Sequence, residues 1–196
     1  MKIIDDKNHI QEITGTPGRE QQKMNNLFYL CSLIEYIARK TKNERKIIVN
    51  ALGRKRLTHY FEFADVYHCE NIDKITEEIV ENQQICKWTY DNISLIHEKV
   101  PTHWEIGRVM QRLIVEVAEH TKTDVIEALI KVYNSWIVTK IDNYNSSMYY
   151  ENTSYQYASY EAGMALLQNV SPKCSCHTCD RNMQCFVYDK LISICF

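Results

Sequence analysis

The chain reads as an all-α protein, a multi-helix bundle with a small cysteine-rich element at its C-terminal end. Three observations carry that expectation. Five glycines and three prolines in 196 residues are few, and scarce breakers favour long helices over a many-turned β architecture. Apolar residues recur at three- and four-residue steps through most of the chain, the stripe that buries one helix face. The composition, 45% hydrophobic and 24% charged, is that of an ordinary globular chain, and one this long buries roughly 70% of its unfolded surface without needing disulfides.

Residues 1–19, ending in "GTPGRE", read as a flexible lead-in because Gly15, Pro17 and Gly18 cluster before the first periodic segment. A helical domain over 20–100 follows. Met24, Leu27, Phe28, Cys31, Ile34 and Ala38 form the stripe of a helix from Glu20 to Lys40. Asn43 is placed to cap a short helix, "ERKIIVNAL", and Gly53 to end it. A third helix is expected from about Lys55 to His68. Asn71 then caps a fourth, whose face is Ile72, Ile75 and Ile79. In 83–100, Ile85, Trp88, Ile93, Ile96 and Val100 fit a helix face better than alternation does, and Pro101 ends the segment.

A second helical region is expected over 101–170. It carries Val109, Met110, Leu113, Ile114 and Val117 on one helix, then a helix opened by Thr123 with Val125, Leu129, Tyr133, Trp136 and Ile137 inside. The tyrosine-rich stretch 143–163 reads as a loop leading into a helix, with a tyrosine contact surface as the sharper alternative. Residues 171–196 form the cysteine-rich tail. No repeat of twenty to fifty residues and no low-complexity tract is evident.

A net charge of −2 hides a local asymmetry. Arg39, Lys40, Lys42, Arg45, Lys46, Arg54, Lys55 and Arg56 precede an acidic run with Glu62, Asp65, Glu70, Asp73, Glu77, Glu78 and Glu81. Arg45, Lys46, Arg54, Lys55 and Arg56 are therefore the candidate binding residues of a basic surface. A short helix, a glycine and a helix starting "RKRL" is also the layout of a helix-turn-helix, whose cations would neutralise phosphates. Internal pairing with the acidic helices is the plainer alternative. A protein partner ranks above nucleic acid.

The segments "FYLCSLIEYIARKT", "VNALG" and "FADVYH", with Glu35 and His68, lie within residues 24–81. This span resembles a group of short, uncharacterised bacterial proteins encoded near toxin-like ADP-ribosyltransferase genes. The resemblance implies a small helical partner or regulator, in a bacterial or phage setting, with no assigned catalytic residues. The remainder of the chain departs from such short proteins.

The stretch "CSCHTCDRNMQC" places Cys174, Cys176, Cys179 and Cys185 around His177. Sulfur and imidazole donors suit zinc, and Cys-x2-Cys lets one turn present two thiolates to a tetrahedral ion. All the ligands are local, however, where zinc ribbons use two separated pairs, so free thiols or a redox pair stand beside the zinc reading. Cys31, Cys69 and Cys86 sit beside hydrophobic positions as expected core residues.

Familiar catalytic signatures are missing from the sequence. One candidate remains: Arg54 and His59 have the Arg-x4-His spacing that resembles the active-site motif of a family of all-helical ribonucleases. The resemblance implies a histidine acting on the ribose 2′-hydroxyl and an arginine steadying phosphate. The most economical reading is a non-catalytic macromolecule-binding regulator, antitoxin-like partner or inhibitor, with the ribonuclease or a helix-turn-helix binder as alternatives. Two aspartates interrupt the first residues where an export signal needs an apolar core. No apolar run approaches the roughly eighteen residues a membrane span requires. The expected location is therefore cytoplasmic, without membrane contact.

Overall fold

The computed structural model describes residues 17–94, 96, 97 and 99–166. Among them are eight α-helices and one 3-10 turn, and no strand. The helices are α1 (Pro17–Thr41), α2 (Arg45–Glu62), α3 (Ala64–Tyr67), α4 (Ile72–Asn82), α5 (His103–Thr121), α6 (Val125–Tyr133), α7 (Trp136–Ile141) and α8 (Thr153–Ala162), with the 3-10 turn over Met148–Tyr150. The all-α expectation holds for these residues.

Several boundaries move. Pro17 lies in the first turn of α1, where proline loses no helical hydrogen bond, so the helix starts inside the expected lead-in. Gly53 interrupts the helical path where expected: α2 is two helices joined across a kink at this residue, with φ 64° and ψ 168°, a positive-φ conformation that glycine adopts without a Cβ penalty. Glu44 and Asp124, not Asn43 and Thr123, occupy the N-cap positions of α2 and α6. The expected helix over 83–100 does not form among its described residues. Residues 85–91 carry no regular structure instead, with the amides of Trp88 and Tyr90 donating to the carbonyls of Thr41 and Lys42 (2.8 and 2.9 Å). Partners outside the segment thus satisfy the backbone that a helix would have satisfied internally.

The two expected domains share one core. α1 and α5 form its centre, packed antiparallel: along α1 from Met24 through Phe28 to Ser32, the partners on α5 fall from Gln111 through Arg108 to Gly107. Gly107 permits this approach. A Cβ there would sit 2.1 Å from the Ser32 hydroxyl oxygen and 2.9 Å from the Ser32 backbone. α2 and α6 pack against this pair and against each other, also antiparallel, through Asn50 with Asn134 and Arg54 with Asp124.

The elements recur with a spacing of eighty positions. Buried Leu30, Cys31, Leu33, Ile34 and Ile37 of α1 match buried Met110, Gln111, Leu113, Ile114 and Val117 of α5. Both helices end in an identical turn. The hydroxyls of Thr41 and Thr121 donate to the carbonyls four residues back (2.7 and 2.6 Å), and Lys42 and Lys122 are both left-handed at φ 52°. The amides of Asn43 and Thr123 then reach back to the carbonyls of Ala38 and Ala118. α4 and α8 keep this spacing to within one residue: each starts at an asparagine cap, Asn71 and Asn152, and is followed by a left-handed residue, Gln84 and Gly163. The next amides, of Ile85 and Met164, bond to the carbonyls of Val80 and Ser159. This period exceeds the twenty-to-fifty-residue range of ordinary repeats, and burial and turn chemistry carry it more than residue identity does.

Gly107→Ala drives a methyl into the Ser32 backbone, so stability falls by about 1–3 kcal/mol on urea unfolding. Adding Ser32→Ala restores only part of the loss, because removing the hydroxyl leaves the clash with the Ser32 main chain in place.

Candidate functional site

A cluster of charged side chains lies inside the bundle. Arg45, in the first turn of α2, is only 2% exposed. Its Nε donates to Glu35 of α1, its Nη1 lies 2.5 Å from Asp142 Oδ1 at the end of α7, and its Nη2 donates to the Tyr144 hydroxyl (2.9 Å). Arg39 reaches the other Glu35 oxygen at 2.5 Å. Two guanidiniums thus face two buried carboxylates, and the cluster is close to neutral. The helical geometry assembles it: Glu35 and Arg39 are one turn apart on α1, and the Lys42 turn brings Arg45 back over them.

Burial raises the Asp142 carboxyl to about 6, with Arg45 pulling the other way. Glu35 behaves oppositely. Burial would raise it, but Arg45 and Arg39 together hold it below its ordinary value. The segment after α4 covers the cluster, since the Tyr90 hydroxyl donates to Asp142 Oδ2 (3.2 Å) and the Asn92 amide to the Asp142 carbonyl (3.3 Å). The Asn43 side chain ties this segment down through the Cys86 carbonyl (2.8 Å). A cavity of about 260 Å³ remains between the segment and the α1–α2 turn. It is smaller than the roughly 300 Å³ at which small-molecule pockets begin, and Glu35, Arg39, Arg45 and Asp142 in its wall are engaged with one another. This arrangement ties α1, α2 and α7 together.

The proposed basic surface therefore comes apart. Arg45 is buried and cannot touch a partner, a correction that follows from the two carboxylates the fold places beside it. Lys46 is exposed, 2.7 Å from Glu44. Arg54 is drawn onto Asp124 and Glu127 of α6 (2.5 and 3.7 Å), and Lys40 onto Asp73 and Glu77. Lys55 and Arg56 are exposed and make no ion pair among the described residues. Arg54, Lys55 and Arg56 line one open depression together with His59. Arg45 and Lys46 border a different one, with Tyr133 and Asn134.

Sequence reasoning overlooked a corner where α2 meets α3. Phe63 is 47% and Val66 58% exposed, both large for apolar residues on a surface. His59 packs on Phe63 (ring centroids 4.9 Å apart) and its Nε2 lies 2.9 Å from the Tyr67 hydroxyl. Tyr60 and Tyr67 continue the aromatic surface. The signal lay in "THYFEFADVY", whose apolar residues outnumber what one buried stripe needs.

Of the expected core cysteines, Cys31 is buried, its thiol pushed up to about 12 by desolvation, whereas Cys69 and Cys86 are exposed. Cys174, Cys176, Cys179 and Cys185, the candidate zinc ligands, lie outside the described residues. Among the described residues no group of His, Cys, Asp or Glu is placed to hold a metal ion, and no helix is long and apolar enough to cross a membrane. Compared with known proteins, the chain matches no family model, no curated protein and no solved structure.

Arg45→Met leaves Asp142 buried without its cation and costs about 3–5 kcal/mol, measured by urea unfolding at neutral pH. The pH dependence has a definite sign. The folded Asp142 value lies above the ordinary one, so its contribution to stability is fully present below about pH 4 and is lost as pH rises through about 6. Glu35 contributes in the opposite sense, above about pH 4, and that contribution is lost on further acidification. Asp142→Asn therefore removes a proton uptake near pH 6, and the stability of the variant changes less with pH than the parent's between about pH 4.5 and 7.5.

Proposed function

We propose that the chain is a non-catalytic regulator that binds another protein, as an antitoxin-like partner or inhibitor, through the α2–α3 corner. The exposed Phe63 and Val66, adjoining a stretch whose Lys55 and Arg56 make no ion pair among the described residues, carry this reading. Aromatic residues and arginine are the side chains that dominate protein interfaces. The fold does not itself demand apolar exposure there: eighty positions on, the same corner of the second half carries Asn143 and Ser146. The resemblance of residues 24–81 to short bacterial proteins encoded near toxin-like enzymes supports the same class.

Nucleic acid ranks lower because Asp124 and Glu127 stand where a phosphate would approach Arg54 and would repel it. A second reading, the ribonuclease, draws on Arg54 and His59 lining the same depression. It must contend with an arginine engaged by carboxylates and a histidine held on Tyr67.

Capture from the native host followed by mass spectrometry tests the binding. Phe63→Asp with Val66→Asp, and separately Lys55→Glu with Arg56→Glu, are expected to lower recovery of the captured protein by about tenfold or more while leaving the melting temperature within a degree or two. Undiminished capture by both variants defeats the proposal. RNA degradation that is lost in His59→Ala supports the ribonuclease instead.

A further inference from the structure

We infer that the chain is a tandem duplication whose two halves, about 24–85 and 104–164, pair as the protomers of a two-fold dimer do, and that the Glu35–Arg45–Asp142 cluster selects the pairing of unlike halves. The matched burial, turns and caps already described make each half the same succession of elements. The contacts between the halves are also self-complementary, the mark of an isologous interface. Arg108 lies 3.8 Å over the ring of Phe28, and these two residues are eighty positions apart, so a residue here touches its own counterpart. The α1–α5 and α2–α6 pairs are both antiparallel about this point, as a two-fold axis requires.

The buried charges are where the symmetry fails. Glu35 and Arg45 belong to the first half, Asp142 and Tyr144 to the second. At the symmetry-related place, Val115 and Val125 stand for Glu35 and Arg45. Both valines are partly buried against the core, and Ala64, eighty positions before Tyr144, stands for it. Two second halves pairing together would bury Asp142 against valines with no guanidinium in reach, and an unpaired buried carboxylate is strongly unfavourable. Two first halves would meet Glu62, eighty positions before Asp142, in its place and would lose the Tyr144 hydroxyl that Arg45 donates to. Every like pair of first halves leaves second halves over, so the penalty on the second drives both into the unlike pair. Repulsive or unpaired charge is the usual means by which similar interfaces avoid the wrong mate.

Two experiments on the full chain test this. In a double-mutant cycle of Val115→Glu and Val125→Arg, the inference expects a second buried pair. The double variant should melt several degrees above the less stable single variant, whereas additive or worse losses show that positions 115 and 125 do not face each other as 35 and 45 do and overturn the duplication. In the second, a protease site is inserted after Lys99, and the cut protein is unfolded in urea, refolded and examined by native mass spectrometry. Unlike pairs alone are expected, with like pairs emerging in Asp142→Asn. Statistical mixing of like and unlike pairs in the parent, or halves that do not re-pair, overturns the selection.

Discussion

A single guanidinium inside the bundle holds its parts in register. Arg45 is buried with Glu35 and Asp142 at its ends and Tyr144 on its flank, so α1, α2, α7 and the residues following α7 meet at one charge. Such a cluster is weak as a source of net stability, since desolvating each ion offsets much of the attraction. Its force lies in what it forbids. Any rearrangement that separates these helices strands a charge in a low-dielectric interior, which leaves one packing far below its competitors.

Around that point the apolar packing is dense but tolerant. Gly107 lets α5 approach α1 closely at Ser32, and Leu33, Ile34, Leu113 and Ile114 of the two helices are buried in the shared core. The left-handed turns at Lys42 and Lys122 are conformationally exacting, and both are closed by the same threonine and backbone bonds. The segment after α4 exploits the first of these turns, using its exposed carbonyls as acceptors and laying Tyr90 over the buried cluster. Trp88, 68% exposed, is carried outward by the same segment.

Charge pairing within the molecule, inside it for Arg45 and on the surface for Lys40 and Arg54, explains why so little of the basic run reaches solvent unopposed. Arg39, Lys40, Arg45, Lys46 and Arg54 meet carboxylates of the same molecule, leaving Lys55 and Arg56 as the exposed remainder on α2 beyond its kink. At the corner beyond them Tyr60, Phe61 and Tyr67 pack partly against the core, while Phe63 and Val66 stay exposed. The binding surface proposed there would combine aromatic area, low in entropic cost, with two exposed cations.

Helix content, the α1 and α5 stripes, the Asn71 cap and the membership of Leu129, Tyr133 and Ile137 in the core were legible from the residues alone, because 3.6-residue periodicity and capping chemistry are local. The path of residues 83–94 was not legible. Its apolar spacing fits a helix, and only the acceptor carbonyls of the Lys42 turn, far away in sequence, make the observed course favourable. Arg45 was unreadable for the same reason. Beside Lys46 it looks like a surface cation, and its burial depends on Asp142, ninety-seven positions later (142 less 45), arriving at the same point. The eighty-residue recurrence also stayed hidden in the letters, since few identities survive between the halves. Local interactions determined which segments are helical; long-range electrostatics and the closeness of helix packing decided which charges are inside, which are free, and which face remains open.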